Sequence, residues 1–354
     1  MMTTPSGARQ EPAPAAAVAV ARRRRPVVLL RAARTRRGAV GLTLAGLVVA
    51  VAAVGPFVAA HSPTAFAGLP YARPSAHLPL GADTLGRDVL SRVLDGGWVL
   101  LIMAAAATAA GVALGTMAGV TAAYLRGVAE NAIMRSVDVI LAFPQLVFAL
   151  LLVSLAGPKL WLIVLAVGIS HAPQVARVIH GAAVGLAERP FIKAKELNGV
   201  RPVRIMLTEI LPNLVTPIVV EAGLRLTFSI VVMAGLSFLG FGQPPPAPNW
   251  GYMISENRLG LALNPWGVVV PAALIALLTI GTNTFGDAVA RVSIGAAGRR
   301  SELALAGAAI GAVASAGEDG EALGGDVLGG GVLDGDVLGG GVLDGGVLGD
   351  GGAP

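Results

Sequence analysis

Charged side chains are scarce in this sequence, at 13% of 354 residues, and those whose spacing could do chemistry fall in three groups. Glu221 and Arg225 stand four residues apart inside a long apolar run. That is the favourable order for an ion pair on one helix face, either as a structural clasp or as polar lining of a solute path. Asp83, Arg87, Asp88, Arg92 and Asp95 alternate in sign at helical spacing. On residue type alone they predict a solvated, mutually paired surface helix. Lys193, Lys195, Arg201 and Arg204 are interleaved with Phe191, Leu197, Ile205 and Leu207. Such an amphipathic pattern can lie on a membrane surface or fill a groove on a partner. Bond-making chemistry is poorly provided for. There is no cysteine, and none of the three lysines, Lys159, Lys193 and Lys195, sits in a G-x-x-x-x-G-K-[ST] phosphate loop, which excludes thiolate chemistry and nucleotide hydrolysis by that route. His171 and His180 lack the carboxylate cluster that a metal site needs, and no metal is expected between them.

The elements that position these groups must lie in lipid. With 55% hydrophobic residues and a mean hydropathy of +0.74, the chain is too apolar for an ordinary soluble domain. A helix needs about 20 apolar residues to cross a hydrocarbon core of about 30 Å. Six stretches meet or approach that length: Gly38 to Val58, Val99 to Tyr124, Val139 to Ala156, Leu160 to Val175, Leu214 to Leu239 and Trp266 to Gly286. The fourth is short and carries Pro173, and the fifth contains Glu221 and Arg225. The expected fold is therefore all-α, a polytopic membrane protein with six transmembrane helices. Arg22 to Arg25 before the first stretch and Ala65-Phe66-Ala67 after it resemble a secretory signal. Its apolar run exceeds the roughly 7 to 15 residues of a signal core, so it reads as a retained anchor.

The net charge of +5 and the pI near 10.2 come from arginines that alternate with uncharged runs, which favours anionic lipid headgroups and argues against nucleic acid. With the N-terminus inside, about 20 basic residues fall on the cytoplasmic side and about 5 outside, as the positive-inside bias requires. Trp98, Trp161, Trp250 and Trp266 then all fall at outer ends of spans or in outer loops, where indoles suit a membrane belt. Domain boundaries follow. Residues 1–37 form a basic, disordered cytoplasmic segment, 38–98 the first span and an outer loop, and 99–294 a five-helix core with an inner loop at 176–213. Residues 295–354 form a low-complexity tail ending in the repeat GDVLGGGVLD from Gly325 to Asp344. Its ten-residue period does not fit a nine-residue calcium-binding β-roll and reads as a flexible Gly-rich segment. Gly111, Gly115 and Gly119 recur every four residues on one face of the second span, a pattern that permits close helix approach.

The inner loop carries the most informative run, RPFIKAKELNGVRPVRIMLTEILPN from Arg189 to Asn213. Pro190 suits a first helical turn, and Gly199 falls where a helix from about Phe191 to Asn198 needs a left-handed terminal residue. A second short helix is expected from Pro202 to before Pro212. This run resembles the cytoplasmic signature of the ABC importer permease family, with Lys193-Ala194-Lys195 in place of E-A-A, Gly199 as its glycine, and Ile210-Leu211-Pro212-Asn213 as its I-L-P ending. The outer-loop run LPLGADTLGRDVLSRVLDGG, Leu78 to Gly97, is similar to the G-T-D-x-x-G-R-D-x-x-S-R signature of dipeptide and oligopeptide permeases, carried here by Gly81, Asp83, Gly86, Arg87, Asp88, Ser91 and Arg92. MRSVDVILAFPQL, Met134 to Leu146, and LSFLGFGQPPPAPNWGYMISENR, Leu236 to Arg258, also look like family signatures. On these motifs the chain is identified as a member of the dipeptide/oligopeptide/nickel class, the subunit type with the longer N-terminal anchor.

The resemblance implies a type I ABC importer permease fold in a bacterial cytoplasmic membrane, with both termini cytoplasmic. It implies a homologous second permease, two cytoplasmic ATPase subunits that bind ATP-Mg, and an extracytoplasmic solute-binding protein. This chain would be non-catalytic and would hold no cofactor. Phe191, Lys193, Ala194, Lys195, Leu197, Gly199, Arg201, Arg204, Ile205 and Pro212 would belong to the coupling element that docks on an ATPase. Two rivals are an ion-gradient-driven secondary transporter, which normally shows inverted repeats and interrupted helices at the midplane, and a non-transporting membrane scaffold.

Overall fold

The computed structural model describes residues 25–157, 159–242 and 246–323. They fall in two units, the first ending at Ala296; the second, from Ala297, is helical as far as Leu323. The Gly-rich repeat and most of the basic N-terminal segment lie outside the described residues. In chain order the helices are α1 (Arg25–Ala33), α2 (Arg36–Val58), α3 (Val89–Asp95), α4 (Trp98–Leu125), α5 (Gly127–Leu141), α6 (Gln145–Ala156) and α7 (Leu160–Ala187). They continue with α8 (Pro190–Leu197), α9 (Pro202–Ile205), α10 (Leu211–Asn213), α11 (Val215–Phe238), α12 (Trp250–Asn257) and α13 (Trp266–Leu323). Among the described residues there is no β-strand, only two isolated bridges, Phe66 with Arg87 and Ala82 with Asp88.

Five helical stretches are long and apolar enough to cross a membrane: α2, the run through α3 and α4 from Val89 to Leu125, α7, α11, and Trp266–Ser293 of α13. The sixth expected span is not straight. Gly127–Leu141 and Gln145–Leu155 meet at 91°, so the third span is a bent pair, broken before Gln145. Pro144 stands at the break with extended backbone, where its ring disfavours helix in the residue before it and removes a donor. The fourth span, expected to be short, is instead the 28-residue α7, continuous through Pro173. Neighbouring helices tolerate such a proline when they hold the backbone around it, and α4 packs along the length of α7.

Glycine makes that packing possible. A Cβ on Gly111 would lie 2.7 Å from the Gly168 carbonyl oxygen, one on Gly115 2.5 Å from that of Ala172, and one on Gly119 2.6 Å from that of Ala176. The paired numbers rise together, so α4 and α7 run parallel in backbone contact and bury Val112, Val167, Val175 and Ile179. Gly115→Ala is expected to force the helices apart at a cost of about 1–3 kcal/mol, read as a lower unfolding temperature in detergent. Gly181→Ala, with nothing within 4 Å of its added Cβ, should leave that temperature unchanged or raise it slightly.

The bundle has two ends. At one, residues 59–88 lead into α3 and lie against α12 and its flanking loops; at the other, α7 passes into α8, α9 and α10. Trp98, Trp161 and Trp266 are exposed on the described surface, as belt indoles would be, but Trp250 is fully buried. Its indole N–H donates to the Val93 carbonyl at 2.7 Å, and its ring fills the space over Gly97, where a Cβ would come within 2.3 Å of it. The expectation of a belt position therefore fails for Trp250. A buried carbonyl at the end of α3 supplies the partner that its N–H needs.

Candidate functional site

The signature residues form a buried polar latch. Gly81 and Gly86 take φ of +72° and +77°. An added Cβ would fall 2.3 Å from the Ala72 carbonyl oxygen at the first and 2.2 Å from that of Gly68 at the second. Only glycine satisfies both the conformation and the space. The turn between them wraps backbone around Asp83, whose carboxylate accepts from Leu85 N at 2.8 Å, Arg87 N at 2.9 Å, Arg87 Nε at 2.7 Å and Arg92 Nη1 at 2.5 Å. Arg87 also pairs with Glu256 of α12, and Arg92 Nη2 lies 3.0 Å from the Glu256 Oε2. Asp88 caps α3, accepting from Leu90 N and Ser91 N at 3.2 Å and from Ser91 Oγ at 2.6 Å.

These groups are not the solvated surface helix that their spacing predicts. Asp83, Arg87, Asp88, Ser91 and Arg92 are all buried, and the helix begins only at Val89. Asp83, the most heavily bonded of these ions, offsets the cost of burying Arg87 and Arg92, whereas Arg92 Nε and Nη2 and Glu256 Oε2 stay buried without a hydrogen-bond partner and depend on charge attraction. Desolvation works against the charged form of Arg87, but hydrogen bonding and attraction to Asp83, with attraction to Glu256, outweigh it and raise its pKa. Desolvation pushes the Glu256 carboxyl up; Arg87 opposes this in part and Asp83 adds to it. Two amides complete the latch: Asn257 Oδ1 accepts from Thr84 N at 3.1 Å, and Asn264 Nδ2 donates to the carbonyls of Leu80 at 3.0 Å and Ala82 at 2.9 Å.

At the other end, Pro190 and Pro202 each open a helix, as residues without an N–H can. Gly199 has φ +72°. Its N–H donates to Glu196 O at 3.0 Å and that of Val200 to Lys195 O at 3.1 Å, the paired bonds of a Schellman ending. Ile192, Ile205, Ile210 and Leu214 are buried against Val175, Ile179 and Ala183 of α7. Phe191, Lys193, Ala194, Leu197, Gly199, Arg201 and Arg204 are exposed. Two expectations need correction. Ile205 is fully buried and anchors the loop, so it offers no surface to a partner. Pro212 does not end the second helix: a π-helical turn, Met206–Ile210, carries the chain into α10, which contains it. The wider turn accommodates a ring that a regular α-helix would exclude. Lys195 turns back to pair with Glu209 of that turn.

Glu221 and Arg225 pair within α11 at 3.1 Å, and the guanidinium lies 5.2 Å from the Phe228 ring centroid. Neither lines the apolar cavity of about 1110 Å³ beside them, which is walled by Thr108, Val112, Ala222, Gly223, Leu226 and Phe285 among others. The two histidines do not meet. His171 is buried beside Gln145, whose Nε2 lies 2.5 Å from Nδ1, and His180 Nε2 lies 2.8 Å from Glu130. Asp138 pairs with Arg177. Glu256, Asn257 and Asn264 were legible only as members of a signature run or not at all. Glu256 is the lone carboxylate between Leu239 and Trp266, the one signal that could have matched it to the arginines of the first loop.

The described helices build a multi-span bundle with a buried polar latch at one end and a glycine elbow at the other. Residues 80–293 match the family described as the binding-protein-dependent transport system inner membrane component, and the chain belongs to that family: it is a non-catalytic, membrane-spanning permease subunit of an ABC importer. The matched region contains both the latch and the elbow. Similar curated proteins include the glutathione transport system permease protein GsiD of Pectobacterium atrosepticum, 37% identical over 213 residues, covering 60% of this chain and 70% of that one. Another is the dipeptide transport system permease protein DppC of Alkalihalophilus pseudofirmus, 35% identical over 214 residues, covering 60% of this chain and 70% of that one. An inward-facing MetNI methionine ABC transporter structure aligns with 55% of this chain and 93% of its own at 20% identity and a TM-score of 0.41, too low a likeness to add to the assignment.

Proposed function

We propose that the chain forms half of the translocation path of an importer for small peptides, glutathione-like peptides or nickel, pairing with a homologous second permease. The observation that carries this reading is the division of labour between the ends of one bundle. The latch at Gly81–Arg92 is closed by α12, while the elbow at Gly199 presents exposed cations and apolar side chains that no other described part of the chain covers. The elbow end is cytoplasmic and docks on one of two ATPase subunits. The latch end faces a solute-binding protein. Closure of the ATPases on ATP pushes the elbows and rocks the permease halves between inward and outward access. Both termini lie in the cytoplasm, the basic 1–37 segment rests on anionic lipid, and the 295–354 tail is accessory. Glu221 and Arg225 serve as an internal clasp of α11.

The names of the relatives support peptides first. Purifying the complex with its binding protein and identifying the co-eluting ligand tests this; a sugar or an inorganic anion in that position would overturn it. Orientation has its own test, because the chain lacks cysteine. In intact cells Ser75→Cys, in an exposed stretch of the latch end, should react with an impermeant thiol reagent, and Ser136→Cys, exposed on α5, should not. Labelling of Ser136→Cys from outside would reverse the orientation.

A further inference from the structure

Helix α5 is poorly embedded. Val137 is its only buried residue, and its firmest ties run to α7 through polar side chains. Glu130 meets His180, Asp138 meets Arg177, and just past the 91° break Gln145 meets His171. The partners ascend α7 as the α5–α6 numbers descend, so these contacts form three rungs between antiparallel helices. The lower two are partly exposed, with side-chain exposures of 30% and 18% for Glu130 and His180 and 52% and 58% for Asp138 and Arg177. The third is buried at His171. Beyond the rungs α7 leads directly into the Gly199 loop, and Val175, Ile179 and Ala183 are packed against Ile192, Ile205 and Ile210 of that loop. A displacement of the loop therefore carries the same half of α7 that holds the rungs. The break at Ala142–Pro144 is the one place where the bent span can change its angle without unfolding a helix, and α6 beyond it enters the main core through Ala149 and Val153.

We propose that Glu130, Asp138 and Gln145 are positioning residues that make α5 travel with this half of α7, so that movement of the ATPase-docking loop is delivered at the 142–144 break and reorients α6 within the core. The proposal rests on the reading of that loop as the ATPase contact. No rung touches the docking surface, so breaking one should leave docking intact and uncouple hydrolysis from transport.

The test uses the full complex in proteoliposomes and measures ATPase co-purification, basal hydrolysis, its stimulation by the liganded binding protein, and uptake. Asp138→Cys with Arg177→Cys should retain the ATPase subunits, lose at least half of the stimulation, and take up substrate several-fold more slowly. A short thiosulfonate cross-linker that spans the two thiols should restore stimulation and uptake, and a reductant should remove them again. Exchange of the charges, Asp138→Arg with Arg177→Asp, should also recover more activity than either single variant. A double cysteine variant that is as well coupled as wild type, or that is not improved by cross-linking and whose charge exchange fails to rescue, overturns the ladder. Gly199→Val, which leaves the rungs intact, reports separately on the docking assignment: loss of ATPase co-purification there supports it, and retention overturns it without touching the ladder.

Discussion

Asp83→Ala is expected to release the latch end of the bundle while leaving the spans in the membrane. Asp83 is the common partner of two buried arginines and of two backbone N–H groups. Its removal leaves Arg87 and Arg92 sharing Glu256 alone, and breaking a buried ion pair by deleting one partner costs about 3–5 kcal/mol. That is a large part of the roughly 5–15 kcal/mol that a folded domain holds in reserve. The spans have their own reason to stay, since lipid solvates their side chains. The expected phenotype is therefore an inserted protein whose 59–97 segment is cut quickly by added protease and whose uptake is lost. Asp83→Leu combined with Arg92→Met, which leaves Arg87 paired with Glu256, should be distinctly less damaging, because removing both charges of a buried pair is often nearly neutral. Equal damage from the two variants would mean that the carboxylate acts on something other than these arginines.

Gly199→Val should abolish uptake by a different route. The space around Gly199 is open, with nothing within 4 Å of an added Cβ, so the glycine is required for its φ of +72° and not for room. A β-branched residue there carries a strain of about 1–2 kcal/mol, and the cheapest relief is to straighten the Schellman ending. Ile192 holds α8 against α7 as Ile205 and Ile210 hold the second arm, so straightening pulls one arm off α7 and moves either Lys193, Ala194 and Leu197 or Arg201 and Arg204 from their docking positions. Insertion and pairing with the second permease should survive, while the ATPase is lost in pull-down. Gly199→Asn, which tolerates left-handed backbone, should retain most of the uptake. Transport by Gly199→Val at the wild-type rate would make the loop a membrane-surface segment.

The elbow was legible because everything it needs is local. Pro190, Gly199 and Pro202 set the helix ends within a dozen residues, and the glycine spacing on the second span likewise predicted a close approach. The latch was not legible in the same way. Asp83, Arg87 and Arg92 were seen as a group, but Glu256 lies 169 residues beyond Arg87, and spacing along one helix says nothing about a partner from another. A reading confined to neighbours pairs these charges with one another and leaves them in water. The spans show a related limit. Pro144 and Pro173 look alike in sequence, yet one breaks its span and the other lies inside a continuous helix. The difference is that α7 has the glycine face of α4 beside it, whereas α5 has little beside it at all.

The parallel pairing of α4 and α7 also constrains how the chain is made. α4 leaves the ribosome first, and its backbone-exposing stripe at Gly111, Gly115 and Gly119 has no cover until the bent span has been laid down and α7 has followed it in the same direction. Adjacent antiparallel spans can close on one another as they emerge, but these two cannot. For the time needed to synthesise α5, α6 and most of α7, the most extensive helix–helix contact of the finished bundle does not exist, and the half-built subunit shows the insertion machinery and its proteases a surface that it later hides.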